Sequence, residues 1–263
     1  MRRFAWFTAR YELESGASTT VLGRLWLFLS PAFMIAIYWL LFGLILQVNR
    51  GTENFVAFLS VGLVVFSHNR SGITQASSSL VRKTAILQSL SFPRAVLPLA
   101  AVFRELGEAA LSSIVLIVFL PIMGAGPRIG WLLLIPLMAV QATMNFGIGM
   151  LIARPITRFG DLRQAMPFIF RLLFYGSGIL FPLEQFLVGR ANGLLALDVI
   201  TINPFFSVAA LARWMMLGLE PHSPALVLIS VVAWTVLSVV IGLPVFLRGE
   251  RHFSGIRTVR LAS

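Results

Sequence analysis

The feature that most constrains the fold of this chain is the alternation of long uncharged apolar stretches with short basic segments. Hydrophobic residues make up 58% of the 263 residues and charged residues only 12%, about half of the charged fraction that is typical of soluble domains. Most of the apolar stretches reach or exceed the roughly 20 residues that an α-helix needs to cross the hydrocarbon of a bilayer. The sequence therefore predicts an all-α integral membrane protein.

Positive charge is concentrated in alternate gaps between these stretches. Of the 21 Lys and Arg residues, 17 fall in one set of gaps and four in the other, and the ten acidic residues divide six to four. Because Lys and Arg are in excess in cytoplasmic loops, the basic side is predicted to be cytoplasmic, with both termini on it and an even number of crossings. Charge spread through successive loops also argues against a nucleic-acid partner, which a basic patch on one soluble fold would favour.

We predict six membrane spans in a single transmembrane domain, residues 1–263. It consists of an interfacial helix (1–24), the spans (25–247) and a cytoplasmic tail (248–263). The six predicted spans cover residues 25–49, 54–73, 97–123, 131–153, 165–181 and 221–247.

The segment between spans five and six is too interrupted to be a seventh span. Asp198, Asn203-Pro204 and Arg213 break its apolar pattern, and the even count of crossings leaves no place for it. Backbone that is not a full-length helix survives at membrane depth only when protein or water covers it. We therefore predict short re-entrant helices in residues 181–220.

Before span one lies a short amphipathic stretch. Phe4, Phe7 and Tyr11 share one helical face, which is typical of a helix lying in the head-group layer. This helix is either a plain anchor or a guide for a substrate head group. The candidate head-group contacts are Arg10, Arg24 and Arg171, of which Arg171 either meets an anionic substrate or snorkels to the cytoplasmic interface.

The loop between spans two and three predicts a second short helix. Ser77-Ser78-Ser79 offers an N-cap, and Phe92-Pro93 ends the helix because proline disfavours the helical conformation in the residue before it. An apolar stripe makes the helix either a docking site for a partner protein or a solvated connector. The residues of interest are Leu80, Arg82, Lys83, Thr84, Ile86, Leu87 and Leu90.

No constellation of catalytic or metal-ligating residues is visible in the sequence. The phosphate-binding pattern GxxxxGK[ST] is absent, the three histidines are isolated, and there is no cysteine for a thiolate metal site. We therefore expect no bound cofactor and no enzyme activity in this chain alone. Charged residues within membrane spans are functional candidates by default, and we favour a structural ion cluster over a proton relay for Arg70, Arg104, Glu105 and Glu108.

Aromatic residues crowd spans one and five. Such rings usually face lipid or neighbouring helices, or form interfacial belts. A passage lined by rings would also suit a glycan, because sugars stack their C–H faces on aromatic rings. The candidate passage residues are Tyr38, Trp39 and Phe42 in span one, and Phe170, Phe174 and Tyr175 in span five.

Four motifs in order give the chain a resemblance to a known family. It resembles the membrane subunit of bacterial ABC exporters of lipid-linked polysaccharides, the O-antigen, capsule, teichoic-acid and galactan permeases. The motifs are Leu22-Gly23-Arg24-Leu25-Trp26 followed by Pro31; Ser79-Leu80-Val81 followed by Ser91-Phe92-Pro93-Arg94 and Leu97-Pro98-Leu99; Thr157-Arg158-Phe159-Gly160-Asp161-Leu162-Arg163; and Ile202-Asn203-Pro204.

The resemblance implies a homodimer in the inner membrane of a bacterium, assembled with two copies of a separate ATPase that binds ATP and Mg. It implies that residues 80–91 are the coupling helix seated on that ATPase. It also implies a passage between the protomers, lined mainly by spans one and five, for a glycan linked to lipid pyrophosphate that enters from the inner leaflet.

Three other functions stay open at the level of sequence. An ABC exporter of drugs or small amphiphiles shares the six-span plan. A membrane-bound glycan-modifying enzyme would need acids at membrane depth, for which Glu105 and Glu108 are the candidates. An ion channel is disfavoured because no charged or carbonyl-rich filter segment is visible.

Overall fold

The computed structural model describes residues 25–46, 54–82, 96–190 and 192–253, and in these ranges every regular element is helical. We number the α-helices in chain order. They are α1 (Trp26–Tyr38), α2 (Phe55–Arg82), α3 (Val96–Ile122), α4 (Leu134–Arg158), α5 (Gly160–Gly176), α6 (Leu183–Leu187), α7 (Gly193–Thr201), α8 (Pro204–Leu217) and α9 (Pro224–Phe253), with a π-helical segment at Trp39–Ile45 and a 3₁₀ turn at Ile129–Leu133.

Five segments are long and apolar enough to cross a membrane, and the bent pair of α7 and α8 makes a sixth if it counts as one span. This confirms the prediction of an all-α protein with several membrane-crossing helices. The five segments are Trp26–Ile45, Phe55–Ser79, Leu97–Ile122, Ile129–Arg158 and Pro224–Arg248.

The helix predicted as span five lies about five residues earlier than expected. Phe159 has extended backbone and separates α4 from α5, so α5 begins at Gly160 in the charged stretch, with Asp161 in its first turn. An acidic residue is favourable there because the helix dipole is positive at that end. At 17 residues α5 rises about 26 Å, slightly less than the hydrocarbon thickness of about 30 Å.

Helix α2 is longer than predicted, and the expected N-cap at Ser77-Ser78-Ser79 is wrong. The helix runs unbroken for 28 residues to Arg82. The three serines are buried within it. Their hydroxyl groups donate to carbonyls of the preceding turn, for example Ser79 Oγ to Ala76 O at 2.7 Å. Serine tolerates a helix interior when its hydroxyl is satisfied in this way, so the polar run does not end the helix.

Helix α2 forms the centre of the bundle and packs against α3, α4 and α8. Helix α4 packs closely against α9, because a Cβ atom built on Gly147 would lie 2.4 Å from the carbonyl carbon of Ser238. A Cβ on Gly149 would similarly lie 2.4 Å from Cβ of Ala76 in α2. Small residues permit such close approach between helices in lipid, so these two glycines set how closely α4 packs against α9 and α2.

Helices α7 and α8 meet at an angle of 97°. The side-chain oxygen of Asn203 accepts from the backbone N–H of Phe205, and Pro204 occupies the first turn of α8, an arrangement that favours a helix start. Asn203 Nδ2 also donates to Ser177 Oγ at 3.0 Å, just after α5. The bend is therefore fixed by local capping and tied to the end of α5.

Candidate functional site

A buried arginine fastens three parts of the bundle together. Arg213 in α8 is 4% exposed, and its guanidinium donates to three backbone carbonyls. Nε donates to Phe58 O at 3.1 Å, Nη1 to Gly178 O at 3.2 Å and Nη2 to Ile179 O at 3.1 Å. The guanidinium carbon also lies 3.5 Å from the ring centroid of Phe58. Arg213 thus joins α8 to α2 and to the connection that follows α5.

The site holds a cation without a direct ion pair among the described residues. Within the described ranges no Asp or Glu comes within ion-pair distance of Arg213. Carbonyl dipoles and an aromatic face offset the loss of hydration instead. The space exists because Gly62 has no side chain, since a Cβ there would lie 2.3 Å from Nη2 of Arg213.

A cavity of about 320 Å³ opens beside this arginine. Phe58, Phe181 and Phe206 form much of its apolar wall, and Glu184 and Glu220 supply acidic groups. It lies at the end of the bundle that the sequence predicts to face away from the cytoplasm. Its lining combines aromatic and carboxylate groups, so it offers both stacking and hydrogen-bonding partners.

Glu105 is buried between α3 and α2, within a polar cluster. Its carboxylate lies 3.2 Å from His68 Nδ1 and accepts from Ser71 Oγ at 2.6 Å and from Gln75 Nε2 at 2.7 Å. The three partners share one face of α2 at i, i+3 and i+7. On α3, Arg104 pairs with Glu108 one turn later at 2.9 Å. The geometry suits a carboxylate that is held in place by its neighbours.

Arg70 lies away from this group, so the sequence-based prediction that it joins Arg104, Glu105 and Glu108 in one ion cluster is wrong. It is two residues from His68, which on an α-helix is a rotation of about 200°. It is exposed and lines a different cavity together with Arg163. The helical phase of α2 therefore separates Arg70 from Arg104, Glu105 and Glu108. Among the described residues, no three His, Asp or Glu side chains are grouped to hold a metal ion.

The six candidate passage residues fall into two aromatic groups that differ in exposure. Tyr38 stacks on Phe42 at 6.1 Å between centroids, while neighbouring Trp39 is 43% exposed. Phe170 is buried against Phe205.

In the second group Phe174 packs edge-on against Phe66 at 5.2 Å. The adjacent Tyr175 is 57% exposed. The structure thus leaves Trp39 and Tyr175 as the most exposed rings of the six, and places Phe170 and Phe174 largely within the protomer.

Of the predicted head-group contacts, Arg171 is exposed on α5, with its guanidinium 5.9 Å from the Phe168 ring. Arg10 and Arg24 lie outside the described residues, as does the interfacial helix. In the predicted docking helix, Leu80 and Arg82 belong to the last turn of α2. Lys83, Thr84, Ile86, Leu87 and Leu90 lie outside the described residues.

In the sequence, Arg213 stands out only as an interruption of an apolar stretch. A usable signal was present, because the residues three and four positions away on the helix are Ala209, Ala210, Met216 and Leu217. None of them can pair with a cation. An arginine inside an apolar helix with no local partner must find one elsewhere in the fold. His68 is likewise isolated in the sequence, but α3 brings Glu105 to it in the fold.

Comparison with known proteins identifies the family. The chain is 31% identical over 176 residues to an O-antigen export system permease protein RfbA of Klebsiella pneumoniae, which covers 66% of this chain and 67% of the relative. A second RfbA of the same organism is 30% identical over the same length and coverage. The chain belongs to the family of O-antigen export permeases.

A more distant relative supports this assignment. An RfbA permease of Myxococcus xanthus is 26% identical over 197 residues, which is 75% of this chain and 74% of the relative. No family model matches the chain. The resemblance read from the four motifs is confirmed: the permease is related to the membrane subunits of ABC exporters of lipid-linked polysaccharides. Its place as a multi-pass protein of the bacterial inner membrane is confirmed with it.

Proposed function

We propose that this permease forms, with a second copy of itself, the passage of an ATP-driven exporter for a polysaccharide linked to lipid pyrophosphate. Two copies of a separate ATPase supply the energy, and the glycan enters from the inner leaflet. The observation that carries the proposal is the relationship to O-antigen export permeases over two thirds of the chain. The distribution of charged and apolar side chains on the exposed surface of the bundle also supports the proposal.

We assign six spans with α5 as the fifth, and α7 and α8 as re-entrant helices on the outer side. The support is the positive-inside rule together with the anchoring of α8 by Arg213. Residues 1–24 are then an interfacial helix. Helix α9 extends past the predicted span to Phe253, so it carries the chain into the cytoplasmic tail, residues 248–263.

Helices α5 and α9 have exposed apolar faces of different kinds. The exposed face of α9 is uncharged from Pro224 to Leu247, which suits contact with lipid. Helix α5 exposes Asp161, Arg163 and Arg171 alongside its apolar residues. Charged side chains at membrane depth usually face protein or a water-filled cavity. We therefore place α5, and not α9, toward the second protomer and the passage.

Helix α1 supplies the other wall of the passage in this proposal. Only about 6% of the segment Trp26–Ile45 is buried in the described protomer, and α1 continues into the π-helical segment that carries Trp39 and Phe42. Trp39 and Tyr175 offer rings to passing sugars, whereas Phe170 and Phe174 hold α5 against α2 and α8. ATP binding shifts the balance between two packings of the protomers, which is how a nucleotide-driven partner opens a passage.

Transport in vesicles tests the proposal. The permease and its ATPase are reconstituted with a glycan linked to lipid diphosphate, and ATP-dependent arrival of glycan on the far side is measured with an enclosed lectin. We expect transport by the wild type, and a reduction of about two- to tenfold with Tyr175→Ala, the scale of losing one ring contact. Ile135→Ala, at an exposed position on α4, is the matched control.

Two outcomes count against the proposal. ATP turnover stimulated by small amphiphiles, with no glycan movement, would instead identify an exporter of that class. Unchanged glycan transport by Tyr175→Ala would remove this ring from the passage.

We also propose that the segment following α2 docks on the ATPase. Replacing Leu87 with aspartate puts a charge into the apolar contact, so we expect substrate-stimulated ATPase activity to fall close to the basal rate while membrane insertion is unchanged. The rate of phosphate release by the purified complex measures this. The predicted apolar stripe consists of Ile86, Leu87 and Leu90. Gln88 is predicted to lie on another face of the helix, so Gln88→Asp should keep the stimulation. Normal stimulation in Leu87→Asp would remove the docking assignment.

A further inference from the structure

A second, smaller cavity lies where α2, the end of α4 and the first half of α5 meet. Its volume is about 90 Å³, which is room for about three waters. This is closer to the size of a phosphate group than to that of a sugar ring. It is on the half of the bundle that the sequence predicts to face the cytoplasm. The lining consists of Arg70, Thr74, Ser77, Ser78, Ile156, Arg163, Met166, Pro167 and Phe170.

Two arginines from different helices meet at this cavity, and none of the described residues that line it carries a carboxylate. Within the described ranges, neither Arg70 nor Arg163 has a hydrogen-bond or ion-pair partner. Arg104, by contrast, is paired with Glu108. Two guanidinium groups at one small cavity repel each other, and an anion between them would turn that repulsion into attraction.

The helical register brings the polar groups to one wall. Arg70, Thr74 and Ser77 recur at i, i+4 and i+7 on α2, so they share a face. The Ser77 and Ser78 hydroxyls donate to the Thr74 carbonyl. Thr74 itself is partly exposed, and its side-chain hydroxyl has no hydrogen-bond partner in the described part of the chain. It is thus available to donate to a bound anion.

We propose that Arg70 and Arg163 bind a phosphate or diphosphate group, with Thr74 as a further donor. The planar guanidinium fork matches phosphate oxygens, and such charge-assisted hydrogen bonds are among the strongest in proteins. Arg70 lies about 18 Å before the end of α2 at Arg82, within reach of the inner leaflet. The bound anion comes either from the diphosphate linkage of the cargo or from an ordinary phospholipid head group. The first of these sources rests on the proposed function.

Binding measurements on the purified permease–ATPase complex test the site. The probes are a polyprenyl diphosphate, phosphatidylglycerol in nanodiscs and inorganic diphosphate. We expect Arg70→Gln and Arg163→Gln each to weaken binding about 10- to 100-fold. The double variant should abolish binding, and Thr74→Val should weaken it less. Arg248→Gln, an exposed arginine near the end of α9, removes the same charge and should bind as the wild type.

The three probes separate the sources of the anion. Arginine-dependent binding of the polyprenyl diphosphate alone assigns the site to the cargo linkage. Equal dependence for phosphatidylglycerol assigns it to phospholipid head groups and removes the cargo from this site. Arginine-dependent binding in a complex that moves no glycan would retain the site and count against the proposed function. Wild-type affinity for all three probes in a correctly assembled double variant would overturn the proposal.

Discussion

Replacing Arg213 with methionine is expected to destabilise the permease by about 2–6 kcal/mol. The substitution keeps most of the side-chain volume but leaves the buried carbonyls of Gly178 and Ile179 without their donor. Each such loss costs about 1–3 kcal/mol. The connection after α5 then loses these two hydrogen bonds to α8, and we expect glycan export to fall as a result. Thermal unfolding of the purified protein measures the first effect and the vesicle assay the second.

Two further variants make this prediction specific to the buried contacts. Arg190→Met removes a positive charge at an exposed position on the same side and should unfold as the wild type does. Arg213→Lys keeps the charge, but one ammonium group cannot reach three carbonyls with the same geometry. Its stability should therefore lie between that of the wild type and that of Arg213→Met. An unfolding midpoint for Arg213→Met equal to the wild type would show that the three carbonyl contacts contribute nothing.

Replacing Gly147 with leucine is expected to prevent correct packing of α4 on α9. A Cβ atom at this position would meet backbone atoms of Ser238 and Val239 within 2.6 Å, and backbone cannot move aside as a flexible side chain can. Overpacking ordinarily costs about 1–3 kcal/mol, and two helices pushed apart lose further contacts along their length. We expect little monodisperse protein after solubilisation, measured by size-exclusion chromatography.

The matched control is another glycine to leucine change in open space. A Cβ on Gly126 would have no neighbour within 4 Å, so Gly126→Leu should give protein of normal yield and elution. Gly242→Leu should reproduce the defect from the other helix, because its Cβ would lie 2.3 Å from the Gly147 carbonyl oxygen. Normal assembly of both Gly147→Leu and Gly242→Leu would contradict this helix crossing.

The sequence predicted those structural features that depend only on residues close together in the chain. Apolar length located the long helices, because crossing hydrocarbon requires a run of residues that can be counted in the chain. The pair Asn203-Pro204 predicted an interruption, and the structure places a capped helix start there. The N-cap predicted at serines 77–79 is wrong, because a serine that caps a helix and a serine whose hydroxyl donates to a carbonyl of its own helix look the same in the sequence.

The sequence by itself determined that this is an all-helical membrane protein of the O-antigen export permease family, because hydropathy and short motifs are properties of consecutive residues. Only the tertiary structure decided which charges meet. It separated Arg70 from Glu105 and set it beside Arg163, buried Phe170, and gave Arg213 its carbonyl partners. These pairings depend on the rotation of each helix about its axis and on contacts between residues up to 155 positions apart, which no local pattern encodes.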